Sequence, residues 1–151
     1  MPVGMLRASD KVAFTSDGGI AIRLINKTSA ASVKGRLVAL HTTTSGAYML
    51  NPANGFMPIG VEYETGIADG SPSWIVVSGI ADVLLEDTTS GTTGYWVGVS
   101  TSQAGRANAA TAAPPGGGIP ELDRHTQEIG HCIQTITGGT DVLCRIIIHF
   151  N

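Results

Sequence analysis

Three groups of residues have types and spacings that invite chemistry. His125, Glu128 and His131 form an H-x-x-E-x-x-H pattern, which on a helix puts two imidazoles and a carboxylate roughly on one face. The pattern differs from the H-E-x-x-H arrangement of zinc hydrolases. Gly130 reads as the helix end before His131, and no further ligand follows at a recognisable spacing, so no metal site is expected. His41 and His149 read as satisfied polar groups. The second group is Cys132 and Cys144, on either side of Gly138-Gly139. A two-residue loop there would set Cys132 against Arg145 and Cys144 against Ile133, with the thiols on opposite faces of a hairpin. A three-residue loop would bring them opposite each other. The expectation is two small buried hydrophobes without a disulfide. The third group is a repeated Gly-Ile-Ala-Asp, at 66–69 and 79–82, which offers Asp69 and Asp82 as a carboxylate pair. The first copy runs into Gly70-Ser71-Pro72, a turn. The second lies inside the strongest strand pattern of the chain. The two aspartates therefore occupy different settings, and the repeat is a coincidence.

Other catalytic signatures are missing. There is no G-x-S-x-G, no P-loop and no dinucleotide-binding glycine pattern after a strand. Gly116-Gly117-Gly118 sits between prolines, where its use is flexibility. The sequence thus predicts neither an enzyme nor a cofactor.

The elements that would position these residues are short and strand-like. Ile20, Ile22 and Leu24 alternate with Ala21, Arg23 and Ile25, and VKGRLVALH, AYML and MPIGVEYETG continue in the same manner. Along WIVVSGIADVLLED, alternation assigns Ile75, Val77, Gly79, Ala81, Val83 and Leu85 to one face, with a bulge or bend at Gly79. Tyr95, Val97 and Val99 alternate with Trp96, Gly98 and Ser100. Thr43-Thr44-Ser45-Gly46 and Thr88-Thr89-Ser90-Gly91 read as turns. PELDRHTQEIG, from Pro120 to Gly130, reads as two helical turns, with Pro120 in the first turn, Glu121 and Asp123 near the N-terminal end and Gly130 as the C-cap. HCIQTI and VLCRIIIHFN form a closing hairpin whose last strand is central. The fold class is mainly β: a compact antiparallel barrel or sandwich of about eight short strands, with one short helix before the C-terminal hairpin.

The 151 residues make one domain, 1–151. An N-terminal arm at 1–10 and an exposed loop or arm at 104–120 are candidate extensions, since Ala-rich and Pro/Gly-rich sequence encloses no core. Charged residues are only 14%, against about 25% in ordinary soluble domains, and glycines number 20, which implies many turns. A net charge of −3 with scattered basic residues argues against nucleic acid. No apolar stretch approaches the ~20 residues of a membrane span. The N-terminus lacks the apolar run of a secretion signal, so synthesis in a reducing cytoplasm is expected.

Three phrases carry a resemblance: VSGIADVLLED, GVSTSQAGRA and IGHCIQTITGGTDVLCRIIIHFN. Over roughly residues 59–151 the chain resembles small bacteriophage head-decoration, or capsid cement, proteins. The resemblance implies a virion protein made in the host cytoplasm. Such proteins bind the outside of an icosahedral shell through the major capsid protein, often as homotrimers, and carry no catalytic residues. Trp74, Tyr95 and Trp96 are the candidate contact aromatics, with core or barrel-rim residues as the plainer reading. The other virion reading is a head-shell, tail or fibre-base component.

Overall fold

The computed structural model of the chain describes residues 5–55, 57–109 and 126–150. Its strands are β1 (Met5–Arg7), β2 (Val12–Thr15), β3 (Gly19–Asn26), β4 (Leu37–Leu40), β5 (Ala47–Leu50), β6 (Gly60–Glu62), β7 (Pro72–Leu84), β8 (Trp96–Val99), β9 (Ala107–Asn108), β10 (Glu128–Cys132) and β11 (Leu143–Ile148). The fold is mainly β, as the alternation predicts. The strands outnumber the expected eight by β1, β2 and β9, which the alternation does not pick out.

All strands join one sheet, in the order β1-β2-β3-β5-β4-β6-β7-β11-β10-β8-β9, and β3 also pairs β7. Only the β3–β5 ladder is parallel. The β3–β7 ladder closes the path β3-β5-β4-β6-β7 into a ring. A second ring runs β7-β11-β10-β8-β9 and closes through a bridge from Leu85 to Ala107. β7 is 13 residues long because it serves both rings. Closure of this kind leaves few free sheet edges.

The bulge expected near Gly79 is present. The register against β3 shifts between Ile20 and Ala21, opposite Ser78 and Val76, and Gly79 has a φ of 84°. The bulge overturns the single face assigned to this strand. Trp74 and Val76 share the main core with Ala81, Val83 and Leu85, whereas Ile75 packs in a second cluster with Val38 and Tyr48. One extra residue in a strand exchanges its faces beyond that point.

Three further expectations are corrected. The two-turn helix is not shown: among the described residues only Thr126 and Gln127 have helical backbone, and Glu128–Cys132 is strand. Residues 120–125 of that prediction lie outside the described residues. β10 pairs with both β8 and β11, and buries Ile129 and Cys132, so non-local ladders override the local helix signals. The candidate N-terminal arm is not free over Met5–Arg7, which pairs with β2 and buries Met5; residues 1–4 lie outside the described residues. The candidate arm at 104–120 starts later than expected. Gly105, Ala107 and Ala109 are buried, because alanines and a positive-φ glycine fit against core walls that larger residues would not; residues 110–120 lie outside the described set.

Candidate interaction surface

β11 sets the geometry of the outer face. Its residues alternate strictly: Cys144, Ile146 and Ile148 are buried, and Arg145, Ile147 and His149 point outward. The run RIIIHF suggests burial on both sides, yet one side faces solvent. Ile147 lies opposite Ile80 of β7 and His131 of β10. On the far side of β7, Ile20 pairs with Ser78, Phe14 with Ile20, and Leu6 with Phe14. The register therefore lines up Leu6, Phe14, Ile20, Ile80 and Ile147 in a row across β1, β2, β3, β7 and β11, interrupted at Ser78.

The row is accessible. Leu6 is 72% exposed, Phe14 47% and Ile147 46%. A groove of about 390 Å³ at the β1 edge is lined by Met5, Leu6, Phe14, Thr15 and Ser16. Side-chain size is inverted relative to an ordinary strand pair, since Ala13 and Ala21 fill the buried positions while Phe14 and Ile20 take the exposed ones. Exposed apolar groups gathered in this way mark interaction sites more often than single exposed residues do.

An ion-pair cluster borders the row. Asp82 Oδ2 lies 2.9 Å from Lys34 Nζ, its Oδ1 3.1 Å from Arg145 Nε, and Arg145 reaches Asp17 at 3.4 Å. Burial pushes the Asp82 carboxyl up, but hydrogen bonds and charge from Lys34 and Arg145 outweigh it and hold the group below its ordinary 3.8. A carboxyl depressed in the folded state stabilises the fold fully above its unfolded value and loses that contribution as pH falls through the folded value. Asp82→Asn is therefore expected to be less stable than wild type at neutral pH, with the gap closing in acid below about pH 4. Urea midpoints of both proteins across that range check it, and a pH-independent gap would refute it.

A cleft of about 560 Å³ between the two rings is lined by Lys34, Arg36, Arg106 and Asp141, together with apolar walls. Its cations are matched within the chain: Arg36 by Glu62, Arg106 by Asp87 and Asp141, and Lys34 by Asp82. Of these pairs only Lys34–Asp82 runs from the loop before β4 to the part of β7 that pairs with β11.

The residues singled out in the sequence fall as follows. Trp74 and Trp96 are each 6% exposed, and Tyr95 is half-buried against the main core. Arg23 stacks over Trp74 at 6.0 Å, and the Trp96 ring sits against Gly98, where a Cβ would overlap it. Trp74 and Tyr95 thus pack on the main core, and Trp96 is buried with its Nε1 lacking a partner among the described residues. Asp69 accepts the Ser29 N–H at 2.9 Å and lies 3.9 Å from Lys27, in a turn with no bond to Asp82. His41 Nδ1 accepts the Thr44 N–H at 3.1 Å, as a satisfied polar group does.

The cysteines do not lie on opposite faces. Cys132 pairs with Ile146, one position away from the expected register, so Cys144 becomes its diagonal neighbour on the same face. The connection from Cys132 to Leu143 is a long irregular segment rather than a tight turn at Gly138-Gly139. Both thiols are free and buried, 3.8 Å apart. Cys144 donates to the Cys132 sulfur, which lowers the Cys132 pKa, while that same bond and burial raise Cys144.

His125 lies outside the described residues. Glu128 and His131 do come together, joined by His149 from beyond β11 rather than by a helical neighbour. The grouping of His149 with Glu128 and His131, and the apolar row, are what sequence reading missed. The size inversion at Ala13/Phe14 and Ile20/Ala21 is the one signal that could have found the row.

No protein-family model matches the chain, and no curated protein matches it.

Proposed function

We propose that the protein is a virion structural protein that binds the outer surface of an icosahedral phage capsid, through the major capsid protein, and stabilises the shell. The capsid assignment comes from the resemblance over residues 59–151. The observation that carries the binding role is the row of exposed Leu6, Phe14, Ile20 and Ile147, with half-buried Ile80 among them, on one face of the sheet. Ile20, Ile80 and Ile147 stand on strands of the closed rings, and the β1–β2 hairpin extends the row from β3, so a preformed sheet presents it and little backbone entropy is lost on docking. A protein that binds the assembled shell and not its loose subunits favours the shell by mass action. β1 has β2 as its one ladder partner among the described residues, and its other edge can pair with a neighbouring copy. We take self-association to be trimeric, which predicts a solution mass three times the 15.6 kDa chain.

The test is co-sedimentation with phage heads stripped of this protein, using wild type and Leu6→Glu/Phe14→Glu. Both side chains point outward, so circular dichroism and the melting profile should be preserved. Loss of the two most exposed apolar anchors of the row should weaken head binding by at least about 30-fold. Equal binding by the variant, or density for the chain in a tail or fibre base, would overturn the proposal and favour the other virion reading.

A further inference from the structure

The structure assigns a divalent transition-metal site to Glu128, His131 and His149, independently of any capsid role. On a regular strand, residues three apart point to opposite faces. Glu128 and His131 share a face because β10 is bulged. Glu128 pairs with Gly98, and Gly130 with Val97, so β10 advances two residues while β8 advances one. Ile129 turns into the core, and the carboxylate and the imidazole stay outside. The bulge depends on Gly130, where a Cβ would overlap the Ile147 carbonyl oxygen. His149 arrives from the neighbouring chain segment, held by its N–H to the Ile129 carbonyl at 3.0 Å.

The spacing of the donors fits one ion. His149 Nε2 lies 3.4 Å from His131 Nδ1 and 3.7 Å from Glu128 Oε1, and all three ligand atoms fall within 4.8 Å of one another. With metal–ligand bonds of about 2.0–2.1 Å, the edge of a coordination tetrahedron is about 3.3 Å. Small side-chain rotations therefore bring all three atoms onto a common centre. The two rings already stack at 5.5 Å and 28°, with one nitrogen of each facing the other. Two imidazoles and one carboxylate suit zinc and its first-row neighbours, and do not suit calcium or magnesium, which prefer all-oxygen shells. Three protein ligands leave a fourth position. It opens on the outer face beside Ile147, where water or a side chain of a docked neighbour completes the shell.

The test uses the full chain, free of any histidine tag and stripped with chelator, titrated calorimetrically with zinc chloride. One saturable site per chain is expected, with a rise in melting temperature on zinc addition. His131→Gln, His149→Gln and Glu128→Gln should each weaken binding at least about tenfold, while His41→Gln should leave it unchanged. Cobalt should give a spectrum without the sulfur-to-metal band that Cys132 and Cys144 would produce. His131 and His149 are exposed and Glu128 is largely buried, so melting profiles without metal report whether each variant folds. No saturable binding at millimolar zinc would overturn the assignment. So would binding that survives both histidine variants, or a cobalt spectrum showing thiolate ligation.

Discussion

Glu62→Ala is expected to lower unfolding free energy by about 3–5 kcal/mol, the cost of removing one partner from a buried ion pair. Glu62 is fully buried on β6. Its Oε2 accepts from Arg36 Nε at 2.9 Å and from the Val33 N–H at 3.0 Å, and its Oε1 accepts from the Tyr48 hydroxyl at 3.0 Å. Three groups, two from the loop before β4 and one from β5, thus converge on one carboxylate. Burial, and then the Glu62 charge, push the Tyr48 hydroxyl well above its ordinary 10.0, which keeps it a donor. Alanine leaves Arg36 Nε, the Val33 amide and the buried Tyr48 hydroxyl without their carboxylate, and a cavity beside them, although Arg36 Nη2 still donates to the Ala31 carbonyl at 2.9 Å. Tyr48→Phe removes one bond and leaves the ion pair, so it should cost only about 1 kcal/mol. Urea denaturation of the three proteins measures both. A Glu62→Ala loss no larger than that of Tyr48→Phe would show that the carboxylate is not the hub of this ring.

Gly79→Ala is expected to cost about 2–5 kcal/mol, from two separable causes. The first is backbone strain: Gly79 has a φ of 84°, and an L residue there loses about 1–2 kcal/mol. The second is collision. A Cβ at Gly79 would overlap the Gly18 carbonyl oxygen, forcing β3 from β7 where the first ring closes, and such overpacking costs about 1–3 kcal/mol. Gly70→Ala isolates the first cause, because Gly70 has a φ of 83° and open space around its Cβ position. Thermal or urea melts should rank wild type above Gly70→Ala and that above Gly79→Ala. Equal losses at the two glycines would remove the packing argument. The expected loss is a large share of the 5–15 kcal/mol that holds a typical domain together.

The stability of this protein therefore sits at ring junctions, and its interaction surface on faces the rings leave outside. A substitution at Glu62 or Gly79 would weaken any binding indirectly, through the fold. Those at Leu6 and Phe14 test binding without touching the core. Keeping the two classes apart is what allows the capsid proposal to fail on its own terms.

The sequence by itself determined the strand content. Period-two alternation in IAIRLIN, YWVGV and the final strand is a local property, since successive side chains in an extended chain point to opposite sides. It also determined the bend near Gly79, because glycine adopts a positive φ without the steric cost other residues meet. Tertiary structure alone decided which face of each strand is buried. The bulges in β7 and β10 exchange faces partway along, so a parity count made from one end is wrong at the other. It also decided the partners of Glu128 and His131. Local signals at PELDRHTQEIG favour a helix, yet pairing with β8 and β11 draws Glu128–Cys132 into the sheet. The outer row likewise follows from register between segments distant in the chain. Hydrogen bonding between strands sets that register, and no short stretch of sequence contains it.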